Sequence, residues 1–226
     1  MHLLKKISVF CLVVFYMSGC TSYETSDPLI RNYQFYPYRV ETNSLQIIID
    51  PYEAKGKVIN VFGTDVRELD ILPIHLIVMN QSLESLSLSQ LDVRLFDGET
   101  GQRVELLNAM EVAREAKFDM AKRVMGFAAA GTGLLIMTIP FAVSAGYTTH
   151  TANSAMQSRF DKESHVLDVV EPGTTMDGFL FFRVSDTRIL SRSMLTRPYV
   201  VQIAGMKLGD NTPIETIQIR VLPTRR

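Results

Sequence analysis

VMGFAAAGTGLLIMTIPFAVSAG, running from Val124 to Gly146, decides how the fold is read, because it interrupts a chain that otherwise alternates as short strands do. Its 23 positions carry no charge and reach the roughly 20 residues that a membrane-spanning helix needs. Its four glycines and Pro140 lower both helicity and hydrophobicity. A single crossing here would leave the strands before and after it on opposite sides of a bilayer, unable to share a sheet. Each half alone would be a marginal sandwich with open edges. The expectation is therefore one β-domain made from both halves, with 108–163 as a helical insertion. A two-pass hairpin is disfavoured because Tyr147 to Ser158 is too polar for a second span. Three readings keep both halves in one compartment: a helix pair packed on the domain, a segment dipping into the bilayer, or a self-associating helix. Gly126, Ala129, Ala130 and Gly133 form two small-xxx-small pairs at helical spacing, the positions expected to pack against a helix or touch a membrane.

On the N-terminal side of the insertion the pattern is antiparallel β. Leu45 to Ile49 reads as a strand stopped by Asp50-Pro51, and Val58 to Phe62 as a strand or a helical turn closed by Gly63. Pro73 to Met79 reads as a strand with Pro at its first position, where the missing N–H costs least. Asn80-Gln81-Ser82 turns the chain, and Leu83 to Leu88 is expected to follow as a strand. Leu91, Val93 and Leu95 alternate inward against Asp92 and Arg94, and Asp97-Gly98 with Gly101 brackets a hairpin returning through Arg103 to Leu107. Asn108 and Glu111 stand at capping-box spacing, followed by Val112, Ala113, Ala116 and Met120 on one helical face.

Beyond the insertion, strands are expected at His165 to Val170, Met176 to Val184, Tyr199 to Ala204 and Ile214 to Leu222. The run Gly178 to Phe182, GFLFF, is apolar on both faces, as a central strand is. Two segments, LIVMNQSLESLSLSQLDVRLFDGETGQRVEL (Leu76 to Leu106) and LDVVEPGTTMDGFLFFRV (Leu167 to Val184), resemble paired strands of immunoglobulin-like domains in bacterial envelope lipoproteins. That resemblance implies an immunoglobulin-like antiparallel β-sandwich. Many such domains have no assigned activity, so it speaks to fold more than to function.

The first residues form a targeting segment: Lys5 and Lys6, an apolar run from Ile7 to Tyr16, and a small-residue exit. Met17-Ser18-Gly19-Cys20 resembles the lipobox of bacterial lipoproteins, with Met17 where Leu is usual. The resemblance implies cleavage between Gly19 and Cys20 and a diacylglycerol on Cys20. Residues 1–19 are then a signal peptide, 20–32 a lipidated tether, and 33–226 the domain. Thr21, in place of Asp, implies export to the outer membrane facing the periplasm, with the outer face of the inner membrane as the alternative. Cys11 and Cys20 are the two cysteines, so the body of the chain carries no disulfide and no thiolate metal site. The aromatic run Tyr33 to Tyr38 is expected to pack over a sandwich edge rather than lie at a membrane interface.

Composition and motifs argue against several function classes. A formal charge of −1 with no basic patch argues against a nucleic-acid surface. The chain holds no Gly-x-Ser-x-Gly elbow, His-Glu-x-x-His or Walker loop, and no Lys follows Gly131-Thr132-Gly133 to bind phosphate. His75 is expected to be a hydrogen-bonded structural residue facing the side of Ile77 and Met79, and His150 and His165 lack a third ligand. Asp65, Glu68 and Asp70 read as a solvated acidic loop. The sequence reads as a non-enzymatic protein-binding or assembly module without catalytic residues, metal or cofactor. Its partners are the membrane, through the lipid on Cys20, and an envelope protein or a second copy. The alternative is a membrane-active or pore-associated lipoprotein whose segment 124–146 enters the bilayer.

Overall fold

The computed structural model describes residues 25–42, 45–116, 169–184, 197–209 and 211–223. Gly19, Cys20, Gly126, Ala129, Ala130, Gly133, His150 and His165 lie outside the described residues, as does most of the 108–163 insertion. The described chain is mainly β. Its strands are β1 (Arg39–Glu41), β2 (Leu45–Pro51), β3 (Ile71–Asn80), β4 (Leu86–Ser87), β5 (Asp92–Asp97), β6 (Arg103–Leu107), β7 (Val169–Val170), β8 (Thr175–Arg183), β9 (Tyr199–Ala204), β10 (Lys207–Leu208) and β11 (Ile217–Val221).

Eight of these form one antiparallel sheet in the order β1-β2-β3-β8-β6-β5-β9-β11, and β10-β4-β7 form a small second sheet. Strands from before and after the insertion alternate in the large sheet: β8 lies between β3 and β6, and β5 pairs with β9. The sheet curls until its first and last strands approach. Tyr38, just before β1, donates its hydroxyl to the carbonyl of Leu222, just after β11, at 2.6 Å. The result is a nearly closed, barrel-like sandwich, which leaves little open edge for another chain to pair with.

Alternation along the strands explains the layers. Leu72, Ile74, Leu76 and Val78 of β3 point inward to join Ile47, Leu95, Phe182, Val201 and Ile219 in the main core. Burying each such side chain contributes about 1.5–3 kcal/mol. Ile217, Ile219 and Val221 of β11 face the same core while Gln218 and Arg220 face water. Ile71 of β3 and Phe179 and Phe181 of β8 face outward and are apolar too, and helices cover them. Helix α1 (Lys55–Phe62) lays Val58, Val61 and Phe62 on Phe179 and Phe181, and ends where Gly63 takes a positive φ of 68°. Phe62 and Tyr52 both meet the Phe179 ring edge-on, at 4.9 and 4.7 Å between centroids.

The base of the insertion follows its capping box. The Glu111 carboxylate accepts from the Asn108 N–H at 3.1 Å, and the Asn108 side chain accepts from the Met110 N–H at 2.8 Å. Helix α2 (residues 109–116 of the described chain) buries Val112, Ala113 and Ala116 in the same outer layer, and Arg183 donates to Glu115 at 2.6 Å. The insertion thus leaves the sandwich as a helix docked on β8.

Three sequence expectations are corrected. Strand β2 runs through Asp50-Pro51 instead of stopping there, and β3 begins at Ile71, so Pro73 is its third residue. Pro73 is tolerated because its carbonyl, and so its nitrogen, faces the side where the β2 ladder has just ended, and the carbonyl accepts from the Tyr52 N–H. The expected strand from Leu83 to Leu88 shrinks to Leu86–Ser87, with Leu83 left in the open. Among the described residues no helix is long and apolar enough to cross a membrane. Val124 to Gly146 lies outside them.

Candidate functional site

The small sheet is built from the chain between β3 and β5, the stretch entering β8, and the chain between β9 and β11. Leu86 pairs with Val170 on one side and with Leu208 on the other. The underside of this platform is apolar: Leu86, Leu88, Val170 and Met206 seal one end of the main core. One chain crossing is so close that only glycine fits. Gly205 has a φ of 81°, and a Cβ there would sit 1.8 Å from the Gln90 carbonyl oxygen.

Asn80, 1% exposed at the end of β3, organises the platform. Its Nδ2 donates to the carbonyls of Glu84 and Val170 at 2.8 and 2.9 Å, and its Oδ1 accepts from the Ser82 N–H at 3.0 Å. Its backbone N–H donates to the Thr174 carbonyl, and its carbonyl accepts from Gly173. Ser82 Oγ lies 2.7 Å from both Asn80 Oδ1 and the Glu84 carbonyl, and accepts from the Glu84 N–H. The buried amide therefore ties the 81–85 loop to β7, and the Asn80 backbone ties both to the turn before β8. Both protons of the amide are used, as a buried amide requires.

In this braced loop stands Leu83, 98% exposed, while Val169, 45% exposed, lies in β7 opposite Ser87 of β4. A loop held by a buried side chain that offers a large apolar side chain to water has lost its ordering entropy in advance. That is the condition for efficient recognition by a partner with an apolar pocket. The sequence names Asn80-Gln81-Ser82 as a turn, and the Asn-x-Ser spacing is the signal for the side-chain bond from Ser82 back to Asn80. It does not reveal the display of Leu83.

The other polar clusters are less open to chemistry. His75, fully buried on the outer face of β3, places Nε2 2.7 Å from Asp177 Oδ2 and stacks on Phe179 at 4.5 Å. Its Nδ1 has no hydrogen-bond partner among the described residues. Tyr52 closes over it edge-on, so the dyad is roofed by aromatic rings. Beside it Lys57 donates to Asp50 at 2.6 Å and sits 4.0 Å above the Tyr52 ring, where burial lowers its pKa in spite of Asp50. Asp65 caps a 3-10 turn and bonds Arg67 at 2.7 Å, and Glu68 meets Lys55 at 3.4 Å, so this acidic loop is met by bases. Among the described residues no three His, Cys, Asp or Glu side chains gather as metal ligands would.

A cleft of about 460 Å³ opens at the opposite end of the sandwich, between the 97–103 hairpin and Arg183 and Arg197. Two of the arginines that line it are answered: Arg197 donates to Asp97 at 2.6 Å, and Arg183 is bonded to Glu115 and lies 3.4 Å from Glu105. Burial pushes the Asp97 carboxyl up, but the N–H groups of Thr100 and Glu99 and the Arg197 guanidinium outweigh it and hold the pKa below the ordinary value.

The aromatic run divides. Tyr36, 3% exposed, packs on Ile48 and Ile77, and Tyr38 closes the sheet, while Phe35 is 74% exposed. Comparison with protein-family models, with curated proteins and with solved structures gave no match.

Proposed function

We propose that the chain is a non-enzymatic, lipid-anchored envelope protein whose sandwich binds or assembles with another protein through the Asn80-braced platform. The observation that carries this reading is Leu83, 98% exposed on a loop fixed by a buried side chain. The strand order supports the immunoglobulin-like form of the sandwich. Strands β2-β3-β8-β6 followed by β5-β9-β11 run in the ABED and CFG order of constant-type domains, with β6 joining the two sets. In that correspondence the β3–β5 and β9–β11 loops match two of the loops that carry binding residues in variable domains. The insertion then leaves between the fourth and fifth strands of the order.

The lipobox-like Met17-Ser18-Gly19-Cys20 supports the anchor, with the outer membrane facing the periplasm as the favoured location and the outer face of the inner membrane as the alternative. Strands on both sides of the insertion hydrogen-bond in one sheet, which supports a single compartment for 33–226. Photo-crosslinking from position 83 in intact cells tests the platform: discrete adducts are expected, and none above a control position would sink the reading. Labelled-lipid incorporation lost in Cys20→Ala tests the anchor, and unchanged incorporation would refute it. Entry of 124–146 into the bilayer is kept as a second reading because that stretch is uncharged over 23 positions. Depth-dependent quenching from probes placed along it tests that reading.

A further inference from the structure

The N-terminal strap, residues 25–38, lies on the outer face of β2 and β3 and is fastened at several points. Ser26 donates its N–H to the Asn60 carbonyl of α1 at 2.7 Å. The Tyr36 hydroxyl accepts from the Arg31 N–H at 2.9 Å and lies 3.4 Å from the Leu29 carbonyl, which draws the 29–31 backbone to the end of a buried ring. Asn32 caps a 3-10 turn over Tyr33–Phe35, and Arg39 donates to the Tyr36 carbonyl while lying over the Tyr33 ring.

These bonds hold the strap backbone down yet leave three large apolar side chains in water: Leu29 at 71%, Ile30 at 43% and Phe35 at 74% exposed. They fall within seven consecutive residues, and the tyrosines between and after them turn inward. A strap that needed only to seal the sheet would bury its largest apolar groups and show its polar ones. Here Tyr36 does the sealing and Phe35, beside it, does not.

We propose that Leu29, Ile30 and Phe35 form a membrane-contact patch that seats this face of the domain on the bilayer to which Cys20 is anchored. The occupant follows from chain length: Leu29 is nine residues after Cys20, and nine extended residues reach at most about 30 Å, the thickness of a hydrocarbon core. The patch therefore stays close to the surface that holds the lipid. One acyl-bearing residue with a second, weaker contact is the usual arrangement for stable seating, and aromatic and aliphatic side chains partition well at the acyl boundary. Arg31 lies within the patch and Arg39 beside it in β1, set against Asp27 of the strap and Glu41 of β1, so the signs balance and the contact is apolar rather than electrostatic. This inference rests on the lipid anchor proposed above.

The chain contains no Trp, so Phe35→Trp introduces a single indole reporter at an exposed position. The full chain carrying Phe35→Trp is purified from envelopes and reconstituted in phosphatidylethanolamine and phosphatidylglycerol vesicles with or without brominated acyl chains. Its lipid content is read by mass. For a lipidated chain the indole emission shifts to the blue, brominated lipid lowers it about twofold, and adding Leu29→Ser and Ile30→Ser reverses most of that loss. A lipidated chain whose indole emits as in water, or is shielded without bromine quenching because another part of the chain covers it, overturns the patch and leaves the anchor intact. A chain without lipid refutes the anchor. Bromine quenching in that chain would still support the patch as an autonomous contact, and its absence would overturn both.

Discussion

His75 and Asn80 are both on β3, five residues apart, and both are buried, yet they do opposite things with their polar atoms. Asn80 bonds Glu84, Val170 and Ser82 with its side chain and so joins the end of β3 to the 81–85 loop and to β7. His75 bonds Asp177 with one nitrogen, finds no partner for the other among the described residues, and otherwise packs as a flat ring between Phe179 and Tyr52. A buried polar side chain thus acts in this sandwich in two ways. It either closes loops that the sheet cannot close, or it fills space in an aromatic layer. Only the first kind builds the surface proposed for a partner.

The largest effect is expected from Asn80→Ala. The buried Val170 carbonyl and the Ser82 N–H each lose a bond, the Glu84 carbonyl keeps only the Ser82 hydroxyl, and the loss of stability is about 3 kcal/mol. Denaturant unfolding measures it, and a change under about 1 kcal/mol would remove Asn80 from the centre of the comparison. Asp97 belongs with Asn80, since it too spends its carboxylate on backbone N–H groups of a turn. Its native pKa is below the unfolded one, so its contribution is complete above the unfolded value and is lost as pH falls through the native value. Thermal stability should therefore fall with acid below about pH 4, and less steeply in Asp97→Asn. Equal slopes in the two proteins would contradict the assignment.

His75→Leu should cost less than about 1 kcal/mol, because the substitution removes an unpaired buried nitrogen and leaves Asp177, whose side chain is 31% exposed, to bond water. A loss as large as that of Asn80→Ala would erase the distinction between the two residues. Leu83→Ser should change stability by no more than about 0.5 kcal/mol, since the side chain touches water. Its effect should appear only in partner capture.

How much of this was readable from the sequence follows the range of the interactions. Local chemistry was legible: the capping box of Asn108 and Glu111, the Asp97-Gly98 hairpin, the inward alternation of Val93 and Leu95, and the double-sided GFLFF strand all formed as expected. The side faced by His75 was legible too, but its partner is 102 residues away and set by the β3–β8 register. Leu83 misled because it adjoins the Leu–Ser alternation of residues 85–89, although it stands out of phase with Leu86 and Leu88. The period is real, but the Asn80 amide claims the backbone of 82–84 first and turns it out of the sheet. Pro51 and Pro73 misled for a related reason: a missing N–H matters only if the ladder extends on that side, and that depends on where the neighbouring strand ends.

The most direct test of the platform is in-cell photo-crosslinking with the reactive side chain at position 83, compared with position 99 at the tip of the hairpin on the opposite end, in chains with Asn80 intact and with Asn80→Asp. The expected result is a discrete adduct from position 83 alone that weakens when the Nδ2 donor of Asn80 is removed. Equal labelling from both positions, or an adduct from 83 indifferent to Asn80, would contradict a surface built by that buried amide.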